Sequence, residues 1–85
     1  MKLELSEKAF KDRAYWREKN NLKIINKIKE LLKDIQEHPF TGLGKPEPLQ
    51  GDYSGFWSRR IDKEHRLIYK VENDTIIVMQ CRFHY

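Results

Sequence analysis

The sequence predicts a two-layer α+β domain: a short N-terminal strand, two helices, and a mainly antiparallel sheet that the helices cover on one face. Three observations carry this reading. A strand-like alternation occupies residues 1–5, helical periodicity runs from Ser6 to the break at His38-Pro39, and after Gly55 the apolar period changes to two. Eighty-five residues suffice for one small core and not for two, so residues 1–85 read as a single domain with any site on its surface.

Met1, Leu3 and Leu5 alternate with Lys2 and Glu4, the period of a strand with one buried face. Ser6 can cap a first helix that opens on Glu7, with Ala9, Phe10 and Ala14 recurring at helical spacing up to a break at Asn20-Asn21. From Leu22 onward, Ile24, Ile25, Ile28, Leu31, Leu32 and Ile35 form an apolar stripe with lysines and glutamates opposite. His38-Pro39 ends this second helix, because a residue before proline is pushed out of the helical region. All three prolines and all four glycines lie between Pro39 and Gly55, which marks a long ordered connection rather than an interdomain linker. Strands are predicted over residues 56–61, 65–71 and 75–83, joined by turns at Asp62-Lys63-Glu64 and Glu72-Asn73-Asp74 into an antiparallel meander.

The formal charge of +4 and pI near 9.3 favour a polyanionic partner, although such an excess is common. Four of the six arginines, Arg59, Arg60, Arg66 and Arg82, fall in the last thirty residues, and arginine's planar fork suits phosphate. The single cysteine, Cys81, excludes an internal disulfide and a zinc site, which suggests a reducing, cytoplasmic setting. Apolar runs such as residues 76–79 are far too short to span a membrane, and the N-terminus lacks a signal pattern.

If Ile61 pairs with His65 and Val71 with Thr75, each side chain can be assigned to a face. One face collects Trp57, Ile61, Leu67, Tyr69, Val71, Ile77, Met79, Cys81 and Phe83, with Arg59 as a misfit. The other collects Ser58, Arg60, Arg66, Lys70, Gln80, Arg82 and His84, with Ile68, Ile76 and Val78 between them. Arg60 then lies opposite Arg66, a destabilising arrangement that a bound anion would relieve, unless both arginines splay into water or pair with Asp62 and Glu64. His84, a solvent-exposed spectator if taken alone, shares this face with Arg66 and Arg82. An imidazole titrating near about 6.5 can protonate a leaving oxygen at neutral pH. Glu47, bracketed by Pro46 and Pro48, is either a solvated loop charge or a carboxylate held in one direction. A carboxylate base, a histidine acid and an arginine at phosphorus make a consistent set for phosphodiester cleavage that needs no metal or cofactor. Tyr85 could stack on a base or cover the edge of the core. His38 and His65 read as structural.

Five motifs together resemble the YoeB (Txe) toxins of the RelE superfamily over the full chain: Pro39-Phe40-Thr41-Gly42; Gly44-Lys45-Pro46-Glu47-Pro48-Leu49; Ser54-Gly55-Phe56-Trp57-Ser58-Arg59-Arg60-Ile61; Glu64-His65-Arg66-Leu67; and Cys81-Arg82-Phe83-His84-Tyr85. The resemblance implies a RelE-like, microbial-ribonuclease-like fold and a type II toxin that enters the ribosomal A site and cleaves mRNA there, inhibiting translation. It implies Glu47 as general base on the ribose 2′-OH, His84 as general acid to the 5′-oxygen and Arg66 as the stabiliser of phosphorane charge. Lys45, Arg60 and Tyr85 match supporting positions, and Arg82 joins them as a candidate RNA contact. Gln50 departs from the pattern, since the family can carry a basic residue there, which puts the strength of substrate binding in question. The implied partners are the ribosome, mRNA and a YefM-like antitoxin with a disordered acidic C-terminal segment, and known relatives form ribosome-bound homodimers. The rival readings are a ParE-type toxin of the same fold aimed at gyrase, and a non-catalytic RNA-binding module.

Overall fold

The computed structural model describes residues 1–83. Strand β1 (Lys2–Leu5) is followed by helices α1 (Glu7–Glu18) and α2 (Leu22–Glu37), then by a connection containing a two-residue strand β2 (Glu47–Pro48). A meander of β3 (Trp57–Arg60), β4 (Arg66–Glu72) and β5 (Thr75–Gln80) completes the fold. The five strands form one sheet in the order β1-β5-β4-β3-β2, with β1 parallel to β5 and the other pairs antiparallel. This is the expected α+β architecture with two helices on one face of the sheet. Among the described residues, no helix is long and apolar enough to cross a membrane.

Ser6 turns the chain from β1 into α1. Its hydroxyl accepts from the Ala9 amide at 3.0 Å, capping the helix, and donates to the Met79 carbonyl at 2.7 Å, tying the cap to β5. Helix α1 departs from expectation in its buried face: Ala9, Asp12 and Trp16 point inward, whereas Phe10 and Ala14 are exposed. The interior tolerates Asp12 because its Oδ2 accepts from the Cys81 amide at 3.1 Å and Lys8 Nζ lies 3.2 Å away. Asn21 caps α2 by accepting from the Ile24 amide, and the predicted stripe is buried at Ile24, Ile28, Leu31 and Ile35. These side chains, with Ala9 and Trp16, pack on Ile61, Leu67, Tyr69, Ile76, Val78 and Cys81 to form the core. Met1 and Leu3 were expected to be buried but are exposed, because β1 is an edge strand and only Leu5 reaches the core.

The predicted β3–β4 register holds, with Arg59 opposite Leu67 and Arg60 opposite Arg66. The β4–β5 register is corrected by one residue: Glu72, not Val71, faces Thr75. Asn73 (φ 51°) and Asp74 (φ 57°) alone make the turn, and two positive φ values are those of a type I′ hairpin matching the strand twist. The shift moves Ile76 and Val78 under the helices and Ile77 and Met79 to the uncovered face, because side chains alternate along a strand. An irregularity opposite Ile68/Tyr69, where Ile68 pairs with Gln80 and Tyr69 with Val78, restores the parity, so Cys81 lies in the core as expected. Strand β5 stops at Gln80 rather than continuing to Phe83.

Candidate functional site: the uncovered face of the sheet

Strand β2 was not foreseen, and it brings Glu47 onto the sheet. Glu47 pairs with Ser58, Ser58 with Ile68 and Ile68 with Gln80, so these four side chains form one row across the uncovered face. Arg60 and Arg66 face each other in the adjacent row. Strands lie about 4.8 Å apart and residues rise about 3.3 Å along each, so Glu47 and Arg66, two strands and two residues apart, stand about 12 Å from each other. Their long side chains can meet over the gap. Lys45 leads into this row from Gly44, whose carbonyl accepts from the Arg60 amide at 2.7 Å. Lys45, Glu47 and Arg60 are exposed and Arg66 is half-buried. Ile68 of this row, with Phe56, Met79, Tyr53, Ser6 and Glu7, lines a groove on this face.

Among the described residues, no acid neutralises the two arginines. Asp62 accepts from the Glu64 and His65 amides at 2.9 and 2.7 Å, which shapes the β3–β4 turn, and Glu64 lies against His65. Among the described residues, Arg60 and Arg66 form no ion pair. Arg66 Nη1 instead donates to the carbonyls of Asp62 and His65 at 2.7 and 3.1 Å, so its guanidinium rests on its own turn.

Arg82 is a correction. Its guanidinium lies 3.5 Å from the centre of the Tyr15 ring on α1 and 4.3 Å from that of Phe83, away from the cationic face it was assigned to. The cause is the end of β5: past Gln80 the chain bends, and α1 captures it. The Cys81 amide donates to Asp12, and Trp16 Nε1 donates to the Cys81 carbonyl at 2.9 Å. Phe83, expected in the covered layer, is exposed. Its amide donates to His65 Nδ1 at 2.8 Å and its carbonyl accepts from the Arg66 amide at 3.0 Å. Buried His65, edge-on to Trp16, therefore anchors the C-terminal segment beside Arg66, a role that nothing in the sequence signalled. The candidate acid His84 and Tyr85 lie outside the described residues.

Two further groups are perturbed. The Cys81 thiol is pushed up to about 12 by burial and then by the nearby Asp12 carboxylate, so it stays a protonated thiol at neutral pH. Asp34 is held below its ordinary 3.8, first by the hydrogen bond from the Leu43 amide and then by Arg59. Asp34, Glu37 and His38 come close enough to share an ion, although the spacing of acids and histidines in the sequence gives no metal-ligand pattern. The Asp34 carboxylate is already engaged by Leu43 and Arg59.

Two helices on one face of a five-stranded mixed sheet in this strand order define the class by fold, that of the RelE-like toxins. The model of the YoeB-like toxins of bacterial type II toxin-antitoxin systems matches residues 5–85. Toxin YoeB of Escherichia coli K12 is 52% identical over the full length of both chains. A YoeB/ParE toxin from Agrobacterium tumefaciens superposes with a TM-score of 0.95 at 44% identity, again over both full chains. The YoeB-YefM complex from Staphylococcus aureus contributes a chain with a TM-score of 0.90 at 42% identity, covering 100% of this chain and 98% of that one. The chain belongs to the family of YoeB-like toxins of type II toxin-antitoxin systems.

Proposed function

We propose that this toxin is a ribosome-dependent endoribonuclease that cleaves mRNA in the A site by metal-independent acid-base catalysis, and so inhibits translation. Glu47 takes the proton of a ribose 2′-OH, the 2′-oxygen bonds to phosphorus as the bond to the 5′-oxygen breaks, and His84 returns a proton to that leaving oxygen. The products are a 2′,3′-cyclic phosphate and a 5′-hydroxyl. Arg66 neutralises charge on the phosphorane, exchanging turn carbonyls for phosphate oxygens, and Arg60, Lys45 and Tyr85 hold the strand. RNA carries its own nucleophile, so the protein has only to move protons and stabilise charge. The observation that carries this reading is the placement of Glu47 on the sheet, one row from facing arginines that form no ion pair among the described residues.

The antitoxin is proposed to be YefM-like, by analogy with the S. aureus complex, and its acidic segment would meet the same cations. A homodimer is likewise proposed, by analogy with the YoeB dimer of S. aureus. The cytoplasm, where ribosomes are, is the proposed place of action.

Mapping 5′ ends on a translated mRNA, with and without ribosomes, tests the reaction and the target together. Cuts within the A-site codon should appear only with ribosomes and should vanish in Glu47→Ala and His84→Ala variants. Equal cutting of naked RNA would remove the ribosome from the mechanism. Growth arrest retained after loss of both residues would point to a gyrase poison or a non-catalytic binder.

A further inference from the structure

We infer that buried Arg59 and Tyr69, with half-buried Asp34, form a clamp that positions the loop carrying Glu47, and so act on the reaction through Glu47 without touching RNA; this rests on the reading of Glu47 as the base. Arg59 is the misfit of the sequence, a fully buried cation in the helix-covered layer of the sheet. Burying a guanidinium is costly unless every donor is used, and an apolar side chain would fill the same space. What arginine adds is a rigid fork of donors.

That fork is spent on one stretch of chain. Nη1 donates to the Leu43 carbonyl at 3.1 Å and to Asp34 Oδ2 at 2.5 Å. Nη2 donates to the carbonyls of His38 at 2.5 Å and Thr41 at 2.8 Å. Nε donates to the Tyr69 hydroxyl at 3.2 Å, which donates in turn to the Pro39 carbonyl at 2.6 Å. Asp34 Oδ2 also accepts from the Leu43 amide at 2.9 Å. Four carbonyls and one amide within residues 38–43 are thus fixed by three side chains from α2, β3 and β4. Two glycines let the loop lie this close. Gly42 (φ 111°) has Asp34 where a Cβ would stand, and a Cβ on Gly44 (φ 78°) would meet the Arg60 carbonyl at 3.0 Å and Arg59 Cβ at 3.1 Å.

The clamp is continuous with the candidate base. Three successive residues of β3 hold the incoming chain: Arg60 through the Gly44 carbonyl, Arg59 through its side chain, and Ser58 by pairing with Glu47. A general base works only within hydrogen-bond reach of its proton, and a misplacement of about 1 Å can cost roughly 100-fold in rate. A loop rich in glycine and proline would not hold Glu47 to that tolerance unaided.

The test is single-turnover cleavage of mRNA in programmed ribosomes by Tyr69→Phe, Asp34→Ala, Asp34→Asn and Glu47→Gln, with thermal unfolding confirming that each variant is folded. Asp34→Ala should lower the rate at saturating toxin roughly 10- to 100-fold and leave the half-saturating concentration unchanged. Asp34→Asn, which keeps an acceptor for Leu43, should recover much of the loss. Tyr69→Phe keeps the buried ring and should show a smaller fall of the same kind, so the inference stays testable if Asp34→Ala fails to fold. In a Glu47→Gln background neither change should slow residual cleavage further, because a clamp that works through Glu47 has nothing left to position. Undiminished rates in folded Tyr69→Phe and Asp34→Ala, or losses that simply multiply with that of Glu47→Gln, would overturn the clamp and leave the proposed reaction standing. Parental cleavage by Glu47→Gln would overturn both.

Discussion

Asp34 shows how one carboxylate couples local structure to pH. It sits at the C-terminal end of α2, accepts from the Leu43 amide and pairs with Arg59 at 2.5 Å. Its carboxyl is therefore held below the ordinary value of 3.8, by the Leu43 hydrogen bond first and by Arg59 second. A group whose folded pKa is depressed contributes stability that is fully present above its unfolded pKa and is lost as pH falls through the folded value. Parent and Asp34→Asn should accordingly differ in thermal midpoint by a constant amount from neutral pH down to about 5. Below that the gap should close, because the parent loses what the variant never had. Midpoints measured across an acidic pH series check this, and a gap that persists unchanged well below 3.8 would show that the carboxylate's charge is not what holds the loop.

At the scale of elements, the two-residue turn of the β4–β5 hairpin sets which side chains of β5 face the helices, and a single substitution tests it. Asn73 and Asp74 both adopt left-handed backbone, which Asn tolerates and Gly prefers at the second central position of a type I′ turn. Asp74→Gly should stabilise the fold by about 0.5 kcal/mol, as relieved backbone strain exceeds the added freedom of the unfolded chain. Guanidinium unfolding gives the value, and a loss of stability would mean that the Asp74 side chain contributes more than its backbone costs. Glu72-Asn73-Asp74 reads as a three-residue turn when only polarity is considered, and that single miscount reversed the faces of Ile76 to Met79. The stripe of α2 was legible because isoleucines and leucines recur at helical period. The face of α1 was not, because its central buried residue is Asp12, whose partner Cys81 lies 69 positions away. The same division runs through the candidate site: the flanking prolines drew attention to Glu47, but two residues cannot announce a strand, and Arg59 registered as an anomaly whose five partners only the folded chain assembles.

Taken whole, the molecule places its helices and main core on one side of a sheet and leaves Lys45 and Arg60 exposed on the other, the face proposed to meet RNA. Arg60 lies directly across from Arg66, and no ion pair relieves either among the described residues. Like charges facing each other in a sheet destabilise by about 0.2–1 kcal/mol, a cost carried by the free protein and removed when an anion arrives. Arg60→Gln should therefore raise the thermal midpoint in low salt. The gain should shrink as ionic strength rises, because the screening length falls to about 10 Å at 0.1 M. Phosphate should raise the midpoint of the parent more than that of the variant, since an anion that binds only the folded state stabilises it by mass action. The same substitution should slow ribosome-dependent cleavage, reversing the sign of its effect between stability and activity. A variant that is no more stable than the parent in low salt, yet cleaves more slowly, would keep Arg60 in the RNA-binding face while showing that Arg66, resting on its own turn carbonyls, already lies far enough away to escape the repulsion.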